Sequence, residues 1–428
     1  MMPFLHHFRC ALFLRQYVIR EKYRTDLNFI DFEFSCSFYI KPMKILHVCL
    51  GNFFIDNYSY QENLLTKWHK KLGHDVYILA SLVSFDKDGR SCLLNGERSY
   101  INENGCYVQR VDYKRGVFYK LNQRFRRYTS TLEIIGKIEP DFIFIHNLQF
   151  WDILKIIKYK KTHPNIKICV DNHADFSNSA RSFLSRWVLH GIVWKYCARR
   201  IEPCVDKFFG VLPARCDFLQ NVYGIPKEKI ELLVMGADNE FVRYDQREQI
   251  KAEIRRKYNI AENEFLIVSG GKLDKWKNIP ILEKAVKQIA NVKILIFGNI
   301  TPDMEEETRT LADGNKVQLI GWINSKEAYT YFLAADLVVF PGRHSVFWEQ
   351  VVACGIPCVF KFWDGTTHVD IGGNCIFLYE DSVDEIQQVI ENLMEDKVKY
   401  NKMKESATSP KRETFLYSKI AKQALLEN

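Results

Sequence analysis

No stretch of this chain reaches the roughly 18 consecutive apolar residues that a membrane-spanning helix needs, so no segment reads as one. No Cys-x-x-Cys pair occurs either. The 12 cysteines are scattered, and the closest repeated spacing, Cys354 to Cys358, lies inside an apolar run. That argues against zinc-ribbon and disulfide-framework readings and favours buried free thiols in a reducing compartment. A Walker loop and a dinucleotide fingerprint are both missing, as are low-complexity tracts and short repeats. No clear Asp-x-Asp offers to hold a metal on a diphosphate. Charge imbalance is modest, with 60 basic against 52 acidic residues and a net charge of +8. This suits an anionic substrate or an acidic membrane surface, and falls short of a dedicated nucleic-acid binder.

What is present is a folded composition, 47% hydrophobic and 26% charged, over 428 residues. That length is more than one core of ordinary size holds, so two domains are expected. Residues 1–42 read as an N-terminal extension: Arg9 and Arg15 break its apolar run, and no small-residue cleavage site follows, which speaks against a signal peptide. "MKILHVCLGN" from Met43 reads as the start of a domain. Beyond it, near-continuous apolar runs at 44–50, 75–80, 141–146, 166–171, 206–211 and 230–234 alternate with helix-period segments such as 59–72. Apolar continuity marks strands buried on both faces of a parallel sheet. The rhythm restarts at 264–269, 292–297, 316–320, 336–340 and 357–361, with helices near 279–289, 303–312, 325–334 and 345–354. The polar stretch 235–249 reads as a linker. Two doubly wound α/β units result, with ligands expected at the carboxyl ends of their strands. The domain reading is 43–238, 239–400, and a tail of 401–428 ending in an amphipathic helix at 413–427.

Three segments carry chemistry. "IVSGGKLDKWKN" (267–278) runs from a strand into Gly270 and Gly271, with Lys272 and Lys277 beyond. Glycines allow close backbone approach, and two ammonium groups can converge on a diphosphate; two surface lysines on a solvated loop is the plain alternative. "FPGRHSVFWEQVVACGIPCVF" (340–360) ends a strand, turns, and starts a helix near Ser345, whose free N–H groups would favour an anion. Ser345 also reads as a simple N-cap, and Glu349 as a solvated helix residue. "KICVDNHADFSNS" (167–179) ends a strand in a polar cluster containing His173, where helix capping is the alternative. His146 reads as packing.

The order and spacing of the Gly-Gly-Lys-Leu-x-x-x-Lys loop, "IFGN", "VQLIGWI", "AADLVVFPG" and "EQVVACGIP" resemble the carboxy-terminal domain of family 4 retaining glycosyltransferases, nucleotide-sugar enzymes of the GT-B architecture. Residues 43–80 and 223–238 resemble that family's opening strand and interdomain stretch. The resemblance implies a transferase with two Rossmann-like domains and a nucleotide-sugar donor, needing no cofactor and no metal. It implies that Lys272 and Lys277 neutralise the donor pyrophosphate, that His173 faces the donor sugar, and that the last helix packs back on the first domain. Gly51 and Asn52 would approach the phosphates or acceptor. Gly271, Gly298, Arg343, His344, Ser345, Val346 and Gln350 would line the donor, and Glu349 would contact its ribose. The family's first glutamate of a pair is missing: Gly342 or Pro341 stands there, so a different anchoring pattern through Arg343, His344 and Ser345 is expected. The "HSVxWEQ" helix is similar to that of a capsule and polysaccharide branch. A non-catalytic binding partner and a nucleotide-sugar epimerase are the other readings of this scaffold.

One more segment stands out. Residues 110–128 carry seven basic residues against one acidic, interleaved with Phe118, Tyr119, Phe125 and Tyr128. They suit docking on an anionic leaflet by a cytoplasmic, peripheral enzyme whose acceptor is a glycan or lipid-linked glycan; a solvated face with core aromatics is the plain alternative. No nucleic-acid partner is expected.

Overall fold

The computed structural model describes residues 41–86, 90–95 and 98–427; the extension expected at 1–42 lies, up to residue 40, outside them. The first sheet takes its strands in chain order as β1 (Lys44–Cys49), β2 (Asp75–Ser81), β3 (Ser99–Ile101), β4 (Tyr107–Val111), β5 (Phe142–His146), β6 (Lys167–Asn172), β7 (Lys207–Gly210) and β8 (Ile230–Leu232). Their spatial order is β8-β7-β6-β5-β1-β2-β4-β3, parallel throughout except for β3 against β4. The second sheet contains β9 (Phe265–Gly270), β10 (Val292–Phe297), β11 (Val317–Gly321), β12 (Leu337–Phe340), β13 (Cys358–Lys361) and β14 (Cys375–Leu378), in the order β11-β10-β9-β12-β13-β14 and all parallel. Each apolar run read from the sequence is a strand to within a residue or two at each end, and central strands such as β5 and β10 are buried along their whole length.

Both sheets reverse direction of growth once, between β1 and β5 in the first and between β9 and β12 in the second. Such switch points open a crevice at the strands' carboxyl ends. The two crevices face one another, because loops from those same ends touch: Ser59 Oγ lies 3.2 Å from Ser325 Oγ, and Ala214 N donates to Gly365 O at 3.2 Å.

Residues 235–249 are more than a linker. Ala237 bridges the strand-like residue Leu416, its N–H donating to Phe415 O at 2.8 Å and its carbonyl accepting from Tyr417 N at 3.0 Å. The chain thus crosses between units twice, side by side. The second crossing delivers the terminal helix α3 (Tyr417–Ala424) onto the first unit, where Tyr417, Ile420, Ala421 and Ala424 join Leu64 and Leu65 of α1 (Gln61–Lys71) and Phe144 and Phe209 of the sheet in one apolar cluster. The ten described cysteines are all free thiols. No described helix is long and apolar enough to cross a membrane.

The sequence reading passed over β3, β4, β14, a hairpin of 83–85 with 91–93, and the long π-helical segment Leu184–Trp194. The strands among these are three to five residues long. The helix carries exposed Leu184, Trp187 and Ile192 where an amphipathic pattern would place polar residues.

If α3 is part of the first unit's core, Ile420→Ala creates a cavity there and should cost about 2–5 kcal/mol of unfolding free energy. Urea denaturation monitored by tryptophan fluorescence checks this; an unchanged midpoint would show that α3 contributes no packing.

Candidate functional site at the two switch points

In the second unit, β9 ends at Gly270 and the chain turns at Gly271, φ +116°. Gly298, φ +130°, leaves β10 beside it so closely that a Cβ there would lie 1.7 Å from Gly271 O. Only glycine permits that approach. The loop continues through exposed Lys272, and Asp274 Oδ1 accepts from Trp276 N at 3.0 Å to fix the short turn Lys275–Lys277. It is then knitted to the loop after β12. Lys277 Nζ donates to Arg343 O at 2.7 Å, Asn278 Nδ2 to Pro341 O at 3.1 Å, and Arg343 N to Trp276 O at 2.8 Å. Gly342 packs so tightly that a Cβ would meet Trp276 O at 2.2 Å. The side chain of Arg343 lies over the Trp276 ring, 5.0 Å from its centroid. Two segments 60-odd residues apart in sequence therefore form one basic wall.

Lys277 is half-buried, and this burial lowers its ammonium to about 8, with Asp274 opposing and Arg343 adding to the shift. An ammonium has three donors; the bond to Arg343 O uses one.

The helix after this wall, α2 (Phe347–Ala353), starts two residues beyond Ser345 and is only two turns long. Ser345 does not cap it: its Oγ is buried without a partner. A helix this short adds little dipole, so the lysines dominate the local field. Glu349 is also placed differently from the expectation of an open ribose contact. It is fully buried, and its Oε1 accepts from His344 Nε2 at 2.9 Å and from His368 Nε2 at 3.0 Å. Burial alone would raise its carboxyl, but the two imidazoles more than offset this and hold it at about 2. Only Oε2 is left for a ligand. Ser345 Oγ, Glu349 Oε2, Gln350 Oε1 and His368 Nδ1 are all buried and unpartnered. So many unsatisfied atoms in one motif are expected where a ligand completes the bonding.

His344, Glu349 and His368 also form the one cluster of metal-ligand type among the described residues, with their ligand atoms within 4.8 Å of one another. The trio is already complete as a carboxylate accepting two N–H bonds. An Asp-x-Asp spacing does occur at Asp86–Asp88, in a loop of the first unit, and its second acid lies outside the described residues.

In the first unit, Gly51 is buried after β1, against the backbone of His146 and Asn147. Asn52 Nδ2 donates to Glu62 Oε1 at 3.1 Å. His173 follows β6, its Nε2 3.3 Å from Asp171 Oδ2. Gly51, Asn52 and His173 line a cavity of about 450 Å³, together with Arg124, Arg126 and Gln149. Arg126 is the residue that sequence reasoning placed wrongly. It belongs to the basic stretch expected on a membrane, yet its Nη1 donates to Gly51 O and, at 2.9 Å, to Gln149 O. Arg110 of the same stretch is buried against Asp56, and Tyr128 is core. Val117, Phe118 and Leu121 do remain exposed, beside exposed Lys114, Arg115 and Lys120. Asp171, Glu62, His368 and Gln149 were not singled out from the sequence. Asp171 stood within the polar cluster noted around His173; the other three carry no pattern of their own.

A larger cavity of about 800 Å³ lies elsewhere, around Asp336 and Tyr400. There Asp336 is paired with Lys251 and Arg255 at 2.6 Å each, so the charge is structural.

Two Rossmann-like units facing across a cleft define the GT-B fold, and comparisons with known proteins agree. Residues 250–409 match the family model described as glycosyl transferases group 1. A curated relative, an uncharacterised glycosyltransferase of Methanocaldococcus jannaschii, is 22% identical over 187 residues, spanning 41% of this chain and 47% of that protein, about half its length. The crystal structure of a glycosyltransferase from Rickettsia africae is 16% identical with a TM-score of 0.62, covering 90% of this chain and 98% of its own. Anabaena HepE in complex with UDP is 14% identical with a TM-score of 0.62, covering 90% and 99%. The group 1 match and the name of the M. jannaschii relative support transferase activity; the structural likenesses establish the fold.

If Lys277 meets a diphosphate as a cation, binding must take up its proton above pH 8. The affinity for UDP should then fall by up to about tenfold per pH unit above that point, and level off in Lys277→Arg. Calorimetric titration from pH 7 to 10 measures this; a flat profile would place Lys277 outside the anion site.

Proposed function

We propose that this protein is a retaining glycosyltransferase that moves a sugar from a nucleoside-diphosphate sugar to a glycan or lipid-linked glycan acceptor, in surface polysaccharide or lipopolysaccharide synthesis. The reading is carried by the joined loops of Lys272–Asn278 and Pro341–Val346, which gather Lys272, Lys277 and Arg343 at one sheet's switch point. His173, Arg126 and Asn52 stand at the other. The leaving group of the reaction is a nucleoside diphosphate whose negative charge grows in the transition state. Fixed cations aimed at that charge lower the barrier, and removing one preorganised donor of this kind costs roughly 10²–10³ in kcat. Retention without an obvious nucleophile is explained by front-face attack: the acceptor hydroxyl enters beside the departing phosphate, which takes its proton, while the protein orients both partners.

The cavity beside the same loop, about 370 Å³ and lined by Leu273, Gly298 and Trp322 together with polar Asn299 and Arg309, offers a recess for the nucleobase. The buried unpartnered atoms of Ser345, Glu349 and Gln350 would take hydroxyls of the ribose or the transferred sugar. Each can hydrogen-bond a hydroxyl, Glu349 Oε2 and Gln350 Oε1 as acceptors and Ser345 Oγ as donor or acceptor. An epimerase would call for a carboxylate poised for proton abstraction; in the second unit's motif the buried acid Glu349 is tied to two histidines.

A thermal-shift screen of UDP-, GDP- and ADP-sugars tests this reading, since a ligand of the folded state raises its apparent stability. One nucleotide class should raise the melting temperature in the wild type and fail to do so in Lys272→Ala/Lys277→Ala; stabilisation by none would overturn the reading. Chelation should leave that shift and turnover intact. Loss of turnover on chelation, restored by a divalent ion, would instead show a metal requirement and contradict the metal-free reading.

An acceptor carried on lipid accounts for two exposed apolar groups, Val117 and Phe118 near Lys114 and Lys120 in sequence, and Phe183, Trp187 and Ile192 near Arg181 and Arg186. Apolar side chains inserted among anionic headgroups, with basic neighbours, are the usual physics of such a surface. The enzyme would then work at the cytoplasmic face of a membrane. Phe118→Ser/Trp187→Ser should abolish co-sedimentation with phosphatidylglycerol vesicles; undiminished sedimentation would remove the membrane from the account.

A further inference from the structure

A file of buried imidazoles runs through the first unit. His69 Nε2 lies 2.9 Å from Ala421 O of α3. His69 Nδ1 is 2.9 Å from His47 Nε2, and His47 Nδ1 is 2.9 Å from His146 Nε2. His146 Nδ1 then lies 2.9 Å from Asp171 Oδ2, and His173 Nε2 stands 3.3 Å from that same oxygen, at charge-contact distance but without the alignment of a hydrogen bond and with no other partner. His47, His69, His146 and Asp171 are all fully buried, on β1, α1, β5 and β6.

The protons in this file can be counted. A carbonyl only accepts, so His69 must donate from Nε2, and as a neutral ring it accepts at Nδ1. His47 must then donate from Nε2 and accept at Nδ1, and His146 must donate from Nε2. Three neutral rings have now spent their three protons on three bonds, and a fourth bond, His146 to Asp171, remains. It needs one more proton. Asp171 Oδ1 accepts from Asn147 N at 2.9 Å, which favours the ionised carboxylate. The extra proton therefore belongs on His146 Nδ1, giving an imidazolium paired with a carboxylate and no net buried charge.

We propose that this file makes His146 the counter-ion of Asp171, and that Asp171 in turn acts as a positioning residue that holds His173 as a neutral Nε2–H imidazole, leaving Nδ1 as a hydrogen-bond acceptor for a hydroxyl in the cleft. Without the file, Asp171 would be an uncompensated anion and would draw a proton onto His173, whose Nδ1 would then donate rather than accept. The inference rests on reading His173 as a cleft residue of the transferase, and goes beyond it by assigning that residue's protonation state and the groups that set it.

The surroundings agree. Burial holds His47 well below the usual imidazole range and His69 at about 3, with the neighbouring rings adding to both shifts, although the Ala421 carbonyl opposes the shift at His69, so neither competes for the extra proton. Burial alone would raise Asp171, but charge on the imidazoles beside it, His173 and His146, more than offsets this and holds its carboxyl far below the usual range; the proton count places that charge on His146. The other titratable groups facing the file are Glu62 of α1, His74 beyond α1, Cys49 of β1 and Tyr417 beside α3. Burial raises Glu62, Cys49 and Tyr417 and lowers His74, in each case towards the neutral form. Besides Asp171, Glu62 is an acid near both His146 and His173, and its Oε1 is engaged by Asn52.

The test is imidazole nitrogen NMR on the 15N-histidine protein without ligand, with signals assigned through His173→Gln and His146→Gln. At pH 7, His146 should show both nitrogens protonated, His47 and His69 one each, and His173 a single proton on Nε2. Asp171→Asn should remove the imidazolium signature while leaving UDP affinity within about twofold, because the diphosphate is bound by the other unit. Transfer should meanwhile fall in kcat, with its acidic limb moved. Glu62→Gln should leave the His146 signals in place. A wild-type spectrum with His173 doubly protonated and His146 neutral overturns the proposal, as does loss of the His146 imidazolium in Glu62→Gln. If Asp171→Asn or Glu62→Gln does not fold, the assigned wild-type spectrum alone decides. Because no turnover enters that readout, its failure is distinct from failure of the transferase reading, which the nucleotide screen tests.

Discussion

The functional reading depends on the seam between the loop after β9 and the loop after β12. Neither loop alone would hold a diphosphate: two lysines on a free loop are mobile, strongly hydrated charges whose ordering costs entropy. The seam removes that cost for Lys277 before a ligand arrives. Lys277 is tied to Arg343 O, Asn278 to Pro341 O, and Gly342 fits where no larger residue could. The result is a preorganised field of positive charge in a half-buried place where water screens it less, the arrangement that favours a developing anion.

From that seam the architecture follows. A crevice at a switch point requires a parallel sheet whose growth reverses, and two such crevices facing one another require two units held at a definite relation. The paired crossing strands at Ala237 and Leu416, with α3 docked on the first unit, supply that hold. The same α3 contributes the carbonyl on which the buried histidine file ends. The interdomain tie and the chemistry around His173 are therefore parts of one connected network.

Much of this was legible in the sequence because it is written in local pattern. Buried parallel strands announce themselves as unbroken apolar runs, and the two doubly wound units were readable from β1, β2, β5, β6 and β9 through β13 alone. The Gly-Gly-Lys loop and the 340–360 segment stand out because glycine, lysine and strand ends are read in sequence order. What escaped depends on three-dimensional proximity. Glu349 looked like a ribose ligand until His368, which has no pattern in sequence, closed over it. Arg126 looked like one of a basic run, whereas its direction is set by a positive-φ backbone, φ +50°, that turns it towards Gly51. His146 was read as packing, which its burial fits, but its partners His47 and Asp171 come from different strands and give it a polar role.

The most direct test of the central claim is a crystal structure with UDP bound. The account predicts the two phosphates against the β9 and β12 loops, with Lys277 Nζ within hydrogen-bonding distance of a phosphate oxygen and Lys272 closing from the other side. Phosphates seated in the first unit's cavity, or away from both lysines, would contradict it.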